Sequence, residues 1–306
     1  MRTAIFAGLL GAVIAIPAAT SVMAKDVTVD TATGPVAIAA NPEKLAVFDV
    51  AAIDTLAAMG VAMAGVPAPL YLDSLADIGA GAQVVGTLFE PDFETLAVMQ
   101  PDLIIVGGRS SAQAAALAPI APVIDMTIGV EGMADQARAR IATYGALFGA
   151  KDKADALTAA LDAKLAMARA AVKGKGKALI VLTNGGKISA YGAGSRFGWL
   201  HSDLALPEAV ENLSAETHGQ SVSFEFLAET DPDWLLVVDR GAAIGAGAKA
   251  AKATLDNPLV ARTKAAQAGQ IVYLDAAPLY IAGGGAGAMM HTLDEVIAAF
   301  GGGKEG

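Results

Sequence analysis

The chain of 306 residues contains no cysteine. That excludes disulfide bridges, zinc–thiolate centres, a cysteine nucleophile and a lipidated amino-terminal cysteine. Histidine is scarce: His201, His218 and His291 are scattered, with no HExxH pair, so the sequence offers no conventional zinc-hydrolase site. Aromatic residues make up only 5 %, which points to alanine-packed helices lying on aliphatic sheets. Lysine and arginine number 21 against 31 acidic residues, giving a net charge of −10. A surface of that sign argues against nucleic acid or an anionic membrane as the main partner. Catalytic glycine motifs are missing too. Gly194-Ser195-Arg196-Phe197-Gly198 lacks nucleophile-elbow spacing, Gly185-Gly186-Lys187-Ile188 lacks the rest of a P-loop, and Gly283-Gly284-Gly285-Ala286-Gly287 is off dinucleotide spacing.

Long apolar runs are confined to the start. MRTAIFAGLLGAVIAIPAATSVMA has one basic residue, an apolar stretch broken by Pro17, and a small-residue site at Val22-Met23-Ala24. Its uninterrupted run is shorter than the roughly 20 residues of a spanning helix. A cleaved signal peptide over 1–24 is therefore expected, with an uncleaved anchor as the rival reading, and a periplasmic destination follows.

The chain also says one thing twice. FETLAVMQPDLIIVGGR (93–109) and FEFLAETDPDWLLVVDR (224–240) share Phe93/Phe224, Glu94/Glu225, Leu96/Leu227, Ala97/Ala228, Pro101/Pro232, Asp102/Asp233, Val106/Val237 and Arg109/Arg240. Each copy reads as a helix, a Pro-Asp turn and a strand ending on arginine. Asp92 and Ser223 are the expected N-caps. Unbroken aliphatic runs suit strands covered on both faces, as in parallel sheets. Lys44–Val50 and Ala178–Thr183 look like the first buried strands of two lobes, and Ala51–Met59 a helix that Gly60 caps. Between the lobes, Lys151–Val172 has no glycine or proline and reads as one stiff helix. Met289–Phe300 is the expected closing helix. The predicted organisation is a leader 1–24, an α/β lobe 25–150, a connecting helix 151–172, an α/β lobe 173–300 and a disordered tail 301–306. Ligands of open α/β sheets bind beyond the carboxyl ends of strands, so two facing lobes would aim Arg109 and Arg240 into one cleft. A stiff connector implies modest closure by rocking.

Arg138, Arg140 and Arg169 fall in helical stretches and read as solvated faces. Arg109, Arg196 and Arg240 sit in glycine-rich loops near strand ends: GGRSS, GAGSRFG and DRGAA. Two readings are open for these three, ligand contact or the tying down of loop carbonyls. Convergent guanidinium groups would suit a multiply charged anion. At about 5 Å and an effective dielectric near 20, each contact is worth roughly 3 kcal/mol before desolvation. Trp199 and Trp234 lie in apolar contexts and read as core; Tyr191 reads as strand packing, with a second aromatic at the cleft as the rival reading.

The stretch ISAYGAGSRFGWLHSDL…ENLSAETHGQSVSFEFLAETDPDWLLVVDRG (188–241) resembles periplasmic binding proteins for ferric catecholate siderophores. ANPEKLAVFDVAAIDTLAAMGV, PDLIIVGGRSS and IVYLDAAPLYIAGGG extend the likeness over nearly the whole mature chain. The resemblance implies two Rossmann-like lobes joined by one helix, the class III periplasmic binding protein fold. It implies a non-enzymatic, monomeric protein without intrinsic cofactor that captures an Fe(III)–siderophore and delivers it to an inner-membrane ABC permease. Arg109, Arg196 and Arg240 would face the anionic complex. His218 and Tyr280 would ligate iron when the siderophore supplies only four oxygens, and Glu94 and Glu225 would meet permease arginines. Relatives often carry an aromatic residue where this chain has Leu279. Haem or another iron complex is the alternative ligand, and an enzyme acting on a small anion the alternative class.

Overall fold

The computed structural model describes residues 26–214, 218–246 and 250–302; the expected leader and positions 303–306 of the expected tail lie outside these. The described chain opens with an antiparallel hairpin, β1 (Asp26–Thr31) and β2 (Gly34–Ala39), which sequence reading did not foresee. Strands β3 (Leu45–Val47), β4 (Gly65–Val66), β5 (Gln83–Val84), β6 (Leu103–Val106) and β7 (Val123–Asp125) then form a parallel sheet in the order β5-β4-β3-β6-β7. The second half repeats that order, β10-β9-β8-β11-β12, with β8 (Ala178–Asn184), β9 (Lys187–Tyr191), β10 (Gln220–Val222), β11 (Trp234–Asp239) and β12 (Ile271–Leu274).

The second sheet departs from the all-parallel expectation. β9 returns antiparallel to β8, and β10 runs antiparallel to β9. The cause is the turn Asn184-Gly185-Gly186-Lys187, whose two glycines have φ of 55° and 82°. Two consecutive positive-φ residues make the tight hairpin turn that matches strand twist. The aliphatic runs are explained by burial on both faces. Ile180, Leu182, Leu236 and Val238 join one core, while Leu179, Val181, Leu235 and Val237 join another.

The repeated segments fold as expected and share one further device. Asp92 and Ser223 cap the helices Phe93–Met99 and Phe224–Thr230 by accepting from Thr95 N and Phe226 N. Each helix ends on a left-handed residue, Gln100 or Asp231, just before the proline. The aspartate after each proline then reaches a neighbouring strand's entry. Asp102 accepts from the Glu43 and Lys44 amides at 3.0 and 2.7 Å, and Asp233 from the Lys177 amide at 2.8 Å.

Lys151–Val172 is one helix of 22 residues that buries Leu157, Leu161, Leu165, Ala168 and Val172. At 1.5 Å per residue it runs about 33 Å. The closing helix spans Ala286–Gly301, so Gly301 belongs to it and not to a disordered tail. It lies along the connecting helix and against the helix Val50–Ala58 of the first lobe. Gly285, its N-cap, has no side chain, and the first lobe supplies the missing acceptors. Asp54, 5 % exposed, accepts from the Ala288 amide at 2.9 Å, and Thr55 Oγ1 from the Ala286 amide at 3.1 Å. Burial pushes the Asp54 carboxyl up to about 6 against the pull of the Ala288 and Gly287 amides. Among the described residues no helix is long and apolar enough to cross a membrane.

The three helical arginines do more than face solvent. Arg138 joins Asp135 and Asp162, Arg140 donates to the Asp30 and Thr127 carbonyls, and Arg169 donates to the Asp203 carbonyl. Each ties its helix to a neighbouring segment, which helical periodicity cannot reveal.

Candidate functional site

The strand order reverses at β3/β6 in the first lobe and at β8/β11 in the second, and ligands of such sheets bind at those points. Arg109 lies just beyond β6 and Arg240 directly follows β11. Arg196 belongs to the loop after β9. Two glycines fix the loops around them. A Cβ on Gly198 would collide with the Ala193 carbonyl, so the SRFG turn closes only around glycine. Gly219 has φ of +69°, and a Cβ there would stand 2.8 Å from the Tyr191 ring; this holds the segment 218–220 against β9.

All three guanidinium groups converge on Tyr280. Arg109 donates from Nη2 to the Tyr280 carbonyl at 2.7 Å and from Nη1 to the Ile281 carbonyl at 3.1 Å. Arg196 donates to the same Tyr280 carbonyl at 2.7 Å and stands 4.2 Å over the Tyr280 ring centre. Arg240 hydrogen-bonds the Tyr280 side chain. Both readings of these arginines therefore meet in one place: two tie down a backbone carbonyl, and they do so at a cleft. Burial raises the Tyr280 hydroxyl, but the Arg240 hydrogen bond and the three positive charges outweigh it, leaving the pKa below that of a free phenol. Arg196 is held below the usual guanidinium range by burial first and by the charge of Arg109 second. Among the described residues, no carboxylate lies within ion-pair distance of any of the three. Crowded like charges without counter-ions mark a functional site more often than a structural one.

Tyr280 and Arg196 divide the cleft. One compartment, lined by Asp49, Gly108, Arg109, Ile128 and Leu279, is small. Asp49 caps the helix Val50–Ala58, and burial pushes its carboxyl up to about 6 although the Ala52 and Ala51 amides and Arg109 pull it down. The other compartment, about 480 Å³, is lined by Arg196, Arg240, Tyr280, His218, Lys187 and Tyr191, and its volume falls in the range of small-molecule sites. His218 is exposed at its rim. Leu279 is buried and lines only the first compartment, so its departure from an aromatic does not touch the space beside His218. A larger cavity beyond the segment Ala276–Tyr280 has its basic side chains already paired, His291 with Asp275 and Lys164 with Asp294. Unpaired positive charge singles out the arginine side.

Tyr191 proved to be both strand packing and cleft wall: it is buried, with its ring 4.7 Å from that of Phe197, which in turn lies tilted 6.4 Å from the Tyr280 ring. Ser195 is buried and bonds the Gly192 carbonyl, a turn role with no nucleophilic geometry. Trp199 and Trp234 are core residues, as read. Glu94 and Glu225 are exposed, each in the first turn of its repeat helix and outside the cleft. Sequence reasoning missed Asp49 and Lys187.

Two matched sheets, one helical connector and a cationic cleft between them define a two-lobed solute-binding protein of class III. The chain belongs to the periplasmic binding protein family, whose model matches residues 45–278. It is 37 % identical over 262 residues to the petrobactin-binding protein YclQ of Bacillus subtilis, covering 84 % of this chain and 82 % of that one. The crystal structure of YclQ superposes with a TM-score of 0.84, covering 90 % of this chain and 99 % of that one. The ferric-anguibactin-binding protein FatB of Vibrio anguillarum is 26 % identical over 275 residues, 87 % of this chain and 85 % of that one. The periplasmic catecholate-siderophore binding protein VctP of Vibrio cholerae is 30 % identical with a TM-score of 0.82, covering 90 % of this chain and all of that one.

Proposed function

We propose that this protein is exported by a cleaved signal peptide to the periplasm, where it captures a ferric catecholate siderophore between its lobes and hands it to an ABC permease without catalysis. The observation that carries this reading is the convergence of Arg109, Arg196 and Arg240 on Tyr280 with no carboxylate partner among the described residues. A ferric tris-catecholate carries a charge of about three minus, which three guanidinium groups neutralise in number and in place. Binding exchanges the arginine bonds to the Tyr280 carbonyl for bonds to catecholate oxygens. The relatives named for petrobactin, anguibactin and catecholate siderophores support the ligand class.

His218 and Tyr280 are the iron ligands in this reading when the cargo supplies four oxygens. Ferric iron accepts phenolate oxygen and imidazole nitrogen, and Tyr280 is already easier to deprotonate than a free phenol. Glu94 and Glu225, at matching places on the two lobes, are the docking carboxylates for the permease. Titration with ferric bis- and tris-catecholates, followed by quenching of the buried Trp199 and Trp234, tests the reading. Saturable quenching by both ferric complexes, and none by the iron-free chelators, is expected. No binding of either ferric complex refutes it.

A further inference from the structure

The compartment that holds His218 and Arg240 runs along the floor of the second sheet. Side chains alternate faces along a strand, so Lys187, Ser189 and Tyr191 of β9 share one face. Register places Ser221 of β10 beside Ser189 on one side and Leu182 of β8 beside it on the other. All five residues line the same cavity, with Asn184 at the turn. Tyr191 packs at the aromatic end, through Phe197 toward Tyr280. Lys187 starts roughly 13 Å along the strand from Tyr191, at the end of the sheet where Arg240 follows β11. Its ammonium is exposed and, among the described residues, has no carboxylate within ion-pair distance.

We propose that Lys187, with Ser189 and Ser221, forms a second recognition element that reads the siderophore's scaffold, and that Lys187 selects cargo bearing a free scaffold carboxylate. This rests on the ferric catecholate reading and adds a division of labour to it. The arginines and Tyr280 hold the iron–catecholate head, whose charge is common to the ligand class. The strand floor meets the linker, where members of the class differ chemically. Serine hydroxyls serve linker amides of any kind, and a lysine on a four-carbon stem adds a movable positive charge for one kind of linker. The site is at the open end of the cleft, so the pair is partly screened and its effect is modest beside that of the arginines.

The test uses two ferric chelators with the same head: N,N′-bis(2,3-dihydroxybenzoyl)-lysine, which carries a free carboxylate, and its methyl ester. Full-length mature protein is titrated with each, as parent, Lys187→Gln and Lys187→Arg. The parent should prefer the acid by about two- to fivefold, the scale of a partly exposed ion pair. Lys187→Gln should erase that preference while binding the ester like the parent, and Lys187→Arg should retain it. Equal weakening of both ligands in Lys187→Gln would make the residue a general contributor of positive field and overturn the proposal. An undiminished preference for the acid, or a parent without one, would overturn it too. Failure of the parent to bind either ferric complex would instead remove the ferric catecholate reading beneath it.

Discussion

Arg196→Gln isolates one guanidinium of the cleft with the least collateral damage. Arg196 makes one bond to the Tyr280 carbonyl, and that carbonyl keeps Arg109 as a second donor at 2.7 Å. The fold should therefore tolerate the change, with a melting midpoint close to the parent. Binding should not. A guanidinium about 5 Å from one unit of ligand charge is worth roughly 3 kcal/mol at an effective dielectric near 20. Part of that is returned, because burial and Arg109 already make the positive charge of Arg196 uncomfortable in the free protein. Loss of one partner in a desolvated pair spans about 2–5 kcal/mol, and the returned part argues for the low end. A loss of about 2–3 kcal/mol is a 30- to 150-fold weaker complex. Arg109→Gln should weaken binding by a similar factor and also lower the melting midpoint, because Arg109 bonds the Tyr280 and Ile281 carbonyls from the other lobe. The double variant should be non-additive by at least about 0.5 kcal/mol, since the two arginines share an acceptor. The assay is tryptophan-quenching titration with ferric tris-catecholate at 0.15 and 1 M salt; the loss should shrink at high salt as screening shortens to about 3 Å. If both single variants bind within threefold of the parent, the arginines serve only to tie the Tyr280 loop, and the ligand site is elsewhere.

Asp54→Asn tests the buried cap on the closing helix. Its folded pKa is raised to about 6, so ionisation costs the folded state stability as pH rises from about 4 to about 6; the Asn variant should be level with the parent near pH 4 and more stable above pH 6, by up to about 3 kcal/mol in denaturant melts, and parallel pH profiles would contradict this. His218→Ala and Tyr280→Phe should impair ferric ligands with four oxygens much more than those with six; equal losses would mean that both residues only pack against the ligand. Glu94→Ala/Glu225→Ala should leave binding unchanged and abolish uptake in cells dependent on this importer, and normal uptake would remove the docking role. Small-angle scattering should show only slight compaction on binding, because a 22-residue helix joins the lobes; a large change would refute modest rocking.

The repeat, the connecting helix and the arginine cleft were all legible because each is written in local chemistry. Lys151–Val172 could be bounded to the residue because nothing within it breaks a helix and glycine flanks it on both sides. The β8–β9 hairpin was missed although Asn184-Gly185-Gly186 is a turn signal; the glycines were weighed only as a failed P-loop. That error hid Lys187, since a lysine after a loop glycine has no address until the strand and its face are known. Asp49 and Asp54 were unreadable for another reason. Their pKa shifts come from burial against chain that is distant in sequence, as the contact between Asp54 and Ala288 shows. The convergence of Arg109, Arg196 and Arg240 was expected, but their meeting at one tyrosine was not, because no strand register connects position 280 to position 109.

The closing helix has a consequence for how the protein is made. The helix Val50–Ala58, formed from the first fifth of the chain, has its buried acid satisfied by amides that emerge only at Gly287 and Ala288. Until then the first lobe exposes an apolar helix face and an unmatched carboxyl, so it cannot complete its core by itself. Completion of the first lobe's packing therefore waits for the last part of the chain. A truncation before Ala286 would cost far more than its short length suggests, since it removes the partner that both the first lobe and the connecting helix wait for.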